Sequence, residues 1–244
     1  MRATRLRRTV LPQRRQHRDL STGERDGTCG LYALGMVQDF WHTQDPSAPT
    51  ALVKDADANA PGVHFVHAPT TDERILDFAI DAGFSVAGEI FDADHLAVIA
   101  AHFGYVATVH DDADLAGLCA VLDAEHPALV CFDANEDGDP HLAGGADAHW
   151  AAVTGWFERE GEVFVTAKHS WAIAPEHVWR AAEFLGSWGN VGATDFYSRV
   201  GRVPRCVSWA GPVGGKTPIG DRLALKIVEV VPWGVAPVGG RPPR

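Results

Sequence analysis

The chain runs to 244 residues, 46% hydrophobic and 22% charged, a balance that supports a folded core and excludes the polar composition of a disordered protein. No stretch approaches the roughly 18–20 apolar residues that cross a bilayer, and the N-terminus lacks the apolar centre of a secretory signal, so a cytoplasmic location is expected. The net charge of -11 conceals an asymmetry: Met1 to Arg18 carry seven arginines and no acidic residue, while the remainder holds 14 basic against 32 acidic groups, which argues against nucleic acid as the main partner.

Residues 1–18 read as a basic leader. In its simplest form this is a solvated, flexible tail; a targeting peptide, a propeptide, or a nucleic-acid or membrane contact are the other roles such a segment takes. One domain is expected over 19–236. A helix begins at or next to Cys29, because Leu31, Leu34, Val37 and Trp41 recur at helical spacing and Asp26, Gly27 and Thr28 precede them as turn and capping residues. Residues 43–69 read as a loop or irregular crossover. Helices follow over Asp72–Ala82, Asp92–Phe103 and Asp112–Ala124, separated by short segments such as GFSVAGEIF and GYVATVH, so that the N-terminal half is mainly helical. Strands then take over. PALVCFDA, HWAAVTGWFE and EVFVTAKHSW form an antiparallel core, the last two joined by a turn at Glu160, Gly161 and Glu162. A helix over Pro175–Leu185 and late strands around Arg205–Trp209 and Leu223–Val231 complete an α+β body, and residues 237–244 read as a flexible tail.

The four cysteines, Cys29, Cys119, Cys131 and Cys206, are too widely spaced for a zinc knuckle and too few to staple a chain of this size, so they read as reduced thiols. Cys119 and Cys131 sit in apolar settings that suit buried, inert thiols. Cys29 sits at a helix start, where backbone N–H groups and the helix dipole favour the thiolate, the form that acts as a nucleophile. Such a nucleophile needs a histidine base held on a rigid element elsewhere in the sequence. His149 has that position, after the small, polar loop HLAGGADA and before the apolar strand WAAVTGW. The plainer alternative is that Cys29 packs as a buried helix thiol and His149 as an ordinary strand-end histidine.

The pairing of GTCGLYAL with AHWAAVTGW resembles the papain-like superfamily. More narrowly, TCGLYALGMV, FDANEDGDPHLAGGADAHWAAVTG and KHSW, in that order, resemble the actin maturation protease family and the related bacteriocin-processing peptidase domains. The resemblance covers roughly Gly27 to Val191. It implies an α+β, papain-like fold, with an N-terminal helical part whose nucleophile at a helix N-terminus packs on an antiparallel sheet carrying the histidine. It also implies thiol peptidase activity on a peptide or protein substrate, with no cofactor and no metal. Residue by residue, Cys29 takes the place of the nucleophile and His149 that of the base. KHSW is similar to the KNSW of papain-type enzymes, which puts His169 where an Asn orients the imidazole, with Ser170 as the other candidate and Trp171 in the place of the shielding Trp. These families place an oxyanion-hole Gln about five or six residues before the Cys. Here Glu24 and Gly23 stand there, and Gln16 is the nearest Gln, beside the backbone N–H of Cys29 as a donor.

The same apparatus transfers acyl groups to amines, so a thiol amidase, deamidase or acyltransferase is the enzymatic alternative. A catalytically impaired papain-like domain that binds a peptide or protein partner is the other. The run Asp133, Asn135, Asp137, Asp139 with Gly138 superficially matches a calcium loop, but its twelfth position falls on Gly144 instead of Glu. His64 and His67 lack the metalloprotease helix pattern, and no metal site is expected. The sequence leaves the oligomeric state open.

Overall fold

The computed structural model describes residues 7–8, 28–45, 75–85, 88–171, 176–194 and 217–243. Gln16, Gly23, Glu24, Cys206, the expected strand Arg205–Trp209 and most of the 43–69 segment lie outside the described residues.

The first long element is α1 (Cys29–Gln44), which buries its residues on every side from Cys29 to Phe40. A helix apolar all round belongs in the middle of a protein, and α1 lies against the sheet. Its Trp41 Nε1–H donates to the carbonyl of Val230 at 2.7 Å. Next come α2 (Ile75–Asp81) and α3 (Ala93–His102). Asp92 caps α3 by accepting the N–H of Asp94 at 2.9 Å, the local reason the helix starts there.

GYVATVH separates two helices as expected, and it does so as the strand β2 (Tyr105–His110). Its alternation of inward Tyr105, Ala107 and Val109 has period two, not 3.6. The following helix, α4 (Leu115–Asp123), begins three residues later than expected. Asp112 sits in a turn at φ 49, and Asp114 is the residue that caps, accepting the N–H of Gly117 at 2.8 Å. The three expected core strands are present as β3 (Ala128–Asp133), β4 (Ala148–Arg159) and β5 (Glu162–His169). Glu160 and Gly161 make the two-residue β4–β5 turn, both with positive φ, as a tight hairpin of this twist requires.

The helix expected over Pro175–Leu185 divides in two. His177–Arg180 is a strand, β6, with His177 and Trp179 buried and Val178 and Arg180 exposed, and α5 (Ala181–Asn190) follows directly. Two short strands, β7 (Ala193–Thr194) and β8 (Thr217–Pro218), pair with each other. The late strand is shorter than expected: Gly220–Leu223 form a one-turn helix, α6, Leu225 adopts φ 52, and only then does β9 (Ile227–Pro232) begin.

The main sheet is antiparallel in the order β2-β9-β3-β4-β5-β6. Each face has a core. Leu129, Cys131, Trp150, Ala152, Val228 and Val230 pack under α1, α2 and α3, and Val130, Phe132, Ala151, Val153 and Val165 pack under α4 and α5. Every residue of β3 is buried, as a central strand covered on both faces must be.

Described residues near both ends of the chain contact the sheet. Within the expected flexible leader, Arg7–Arg8 form a short strand, β1, that pairs with Trp156 and Gly155 of β4; the rest of residues 1–18 lies outside the described residues. The tail expected to fray is tied down. Arg241 exchanges backbone hydrogen bonds with Val109 and its guanidinium bonds Asp94 and Asp111, while the Val238 N–H donates to the buried Glu229 carboxylate at 3.0 Å.

Candidate active site

Cys29 is the first residue of α1, 8% exposed. The helix start carries no side-chain cap from Thr28 and no acidic residue in its first turn, so no carboxylate there competes for the positive end of the helix dipole. The helix comes very close to the sheet at this point. A Cβ on Gly30 would lie 2.9 Å from Cδ1 of Trp150, and the Trp150 Nε1–H donates to the carbonyl of Ile90 at 2.7 Å. Glycine at position 30 therefore sets how near the N-terminus of α1 approaches β4.

His149 is the second residue of β4, next to that Trp150, and faces Phe132 across the β3–β4 ladder. Cys29 and the backbone N–H of His149 both bear on the buried Cys131 thiol, the first disfavouring its thiolate and the second favouring it. Burial pushes the Cys131 thiol well above its ordinary value and raises Cys119 to about 11, so both stay protonated and unreactive at neutral pH. None of Cys29, Cys119 and Cys131 is in a disulfide.

The His149 ring is held from two sides. Its Nε2 lies 3.2 Å from Nδ1 of His169 at the end of β5, the rings perpendicular with centroids 4.9 Å apart. The indole of Trp171 covers it at 4.1 Å. His149 and His169 are 2% and 1% exposed, so this hydrogen bond is shielded from water. Ser170 is also buried.

Behind His169 stand residues that sequence reasoning missed. The β5–β6 register pairs Ala167 with His177, which brings the His177 ring to 4.2 Å from that of His169. His177 Nδ1 is 3.7 Å from Asp139 Oδ1, and the same oxygen accepts the Trp179 Nε1–H at 3.0 Å. Burial lowers the His177 pKa, with Asp139 opposing the effect. Beneath both rings passes Gly138 at φ 83, where a Cβ would stand 2.6 Å from Cε1 and Nε2 of His169. Only glycine fits there, for backbone and space alike.

The loop that leads into His149 is organised by Asp133. Its carboxylate, buried at the end of β3, accepts N–H groups of Ala143, Gly145 and Asp147 between 2.9 and 3.2 Å. Burial raises its pKa, and the bonds from Gly145, Ala143 and Asp147 oppose that shift. The Asn135 side-chain oxygen accepts the N–H groups of Asp137 and Asp139 at 3.0 and 2.9 Å. The run that superficially matches a calcium loop thus spends Asp133 and Asn135 on the loop's own backbone, and among the described residues no group of three or more His, Cys, Asp or Glu is arranged to hold a metal. No described helix is long and apolar enough to cross a membrane.

Fold and site together define an α+β protein with helices on both faces of an antiparallel sheet, a cysteine opening the buried helix and a buried, hydrogen-bonded pair of histidines on the sheet. Residues 58–157, under half of the chain, match the family model described as actin maturation protease-like, C-terminal domain, which ties this span to a protease-like family. The resemblance to the actin maturation protease family holds over the stretch that contains His149; Cys29, His169 and Gln16 fall outside it. No curated protein and no solved structure matches the chain.

Proposed function

We propose that the chain is a cysteine peptidase of papain-like type, with Cys29 as nucleophile and His149 as base. Two observations support this reading: a cysteine begins the buried helix that packs on β4, and a buried histidine near the start of β4 has its Nε2 engaged by His169; in this reading Nδ1 of His149 serves the thiol. His149 takes the proton of Cys29, the thiolate attacks a peptide carbonyl, the tetrahedral oxyanion collapses as His149 gives that proton to the departing amine, and a water deprotonated by His149 hydrolyses the thioester and frees the thiol. His169 orients the imidazole in the place of the usual Asn, and Trp171 keeps water from that bond. The Cys29 backbone N–H serves the oxyanion, with Gln16 as the proposed second donor. The substrate is a peptide or protein, the chemistry uses no cofactor, and the setting is the cytoplasm, where the thiols stay reduced.

The test is the rate of iodoacetamide alkylation against pH, assigned to residues by mass spectrometry, in the wild type and in His149→Ala. Cys29 is expected to react with a midpoint well below the ordinary thiol value of about 8.5, and His149→Ala to raise it. A Cys29 that titrates as an ordinary thiol in both proteins sinks the peptidase reading.

A further inference from the structure

We propose that His169 is a protonation gate on this site: the Cys29 thiolate and its His149 imidazolium persist only while His169 is neutral, so that a proton on His169 switches the nucleophile off in mildly acidic medium. The inference rests on the peptidase reading and adds a regulation to it.

The hydrogen bond between the two rings holds one proton. With 3.2 Å between His149 Nε2 and His169 Nδ1, one nitrogen donates and the other must offer a lone pair. A charged His149 has N–H groups at both nitrogens, so it bonds His169 only if Nδ1 of His169 is bare and its proton is on Nε2. A second proton on the pair protonates His169 Nδ1. The gap then faces N–H with N–H, and two positive rings confront each other in a buried setting, where like charges strongly disfavour double ionisation. The pair relieves this by passing one proton from His149 to the Cys29 thiolate and keeping the other on His149 Nδ1, which leaves Nε2 bare to accept from His169 and returns Cys29 to the thiol. An Asn in this place accepts through its carbonyl oxygen and does not titrate, so it has no such state.

The groups facing His169 from other elements fit this role. From β4 comes His149, and from β6 His177, whose burial favours its neutral form. From the β3–β4 loop comes Asp139, on the far side of His177. The indoles of Trp171 and Trp179 stand at 5.7 and 6.4 Å from the ring. On β3, the Asp133 carboxylate is occupied by the N–H groups of its loop, and Lys168, next along β5, turns to the opposite face by strand alternation. Sharing one hydrogen bond, the two central histidines take up and release protons as a pair and not as independent groups.

The experiment compares the pH profile of Cys29 alkylation in full-length wild type and His169→Asn, each rate taken relative to its own plateau near neutral pH. In the wild type the rate falls below about pH 6, and in His169→Asn the falling limb moves down by about one unit or more, leaving a relative rate at pH 5 about tenfold higher. Superimposed limbs around an activated Cys29 overturn the gate and leave the peptidase reading standing. A wild-type Cys29 with no activation at any pH overturns both. Should His169→Asn fail to fold, the nitrogen-15 shifts of the wild-type histidines decide. The gate requires His169 neutral, with its proton on Nε2, at the pH of the plateau, and is overturned if both rings are charged there.

Discussion

At the scale of single residues, the site depends on two positions that carry no chemistry. Gly138 leaves room for His169, so Gly138→Ala is expected to push that ring off His149 and lower kcat/KM on a peptide substrate by about 10- to 100-fold; steady-state kinetics, with circular dichroism to check the fold, test this. Asp133 gathers three N–H groups of the loop before His149, and Asp133→Ala is expected to cost about 2–4 kcal/mol in urea unfolding, because buried donors lose their acceptor. In the same alkylation assay, Cys119 and Cys131 are expected to stay unmodified at neutral pH, since burial raises both thiols. Cys29 and His149 stood out in the sequence because each combines a reactive side chain with an element boundary. Asp133 and His177 carried no comparable signal. Asp133 looked like part of a calcium loop, and His177 meets His169 only through the pairing of β5 with β6, a long-range register that local pattern does not encode.

At the scale of elements, α1 comes close to Trp150 of β4 at Gly30. Gly30→Ala raises helix propensity and would stabilise a solvent-exposed helix. Here overpacking wins: a net loss of about 1–3 kcal/mol is expected, read by denaturant titration. The elements legible in the sequence were those with long, uninterrupted periodicity: α1, α3, and the run of β3, β4 and β5. The readings that failed are all short. β2, read only as a segment between two helices, is a strand of six residues, and β6 is one of four, over which the following helical pattern extends when read by composition alone. His177 to Arg180 alternate inward and outward while Ala181, Phe184 and Trp188 resume a helical stripe, and the change of period within one continuous apolar segment was the cue. The start of β9 was misplaced because Leu225 takes a left-handed conformation, which nothing in its side chain announces.

At the scale of the whole molecule, acid stability is expected to follow Glu229, a carboxylate with no exposed surface on β9. Burial alone would raise its pKa, but hydrogen bonds from His110 and His126 and from the Val238 N–H outweigh that and hold it at about 2. Ionisation of Glu229 thus stabilises the fold fully above about pH 4.5, its reference value. That contribution, about 3 kcal/mol at most, is lost as pH falls from there toward about 2. Glu229→Gln is expected to flatten this part of the curve of unfolding free energy against pH and to lower stability at pH 7, where one of the two rings loses its acceptor oxygen and the other keeps only an uncharged one. The same strand has another consequence. β9 is the last strand among the described residues yet lies between β2 and β3. During synthesis, therefore, β2 and the β3–β6 block emerge with two bare edges facing a gap that only residues 227–232 can fill. Until the ribosome delivers them the nascent chain is a template for mispairing with its neighbours, and a chain stopped before Ile227 is expected to collect in inclusion bodies.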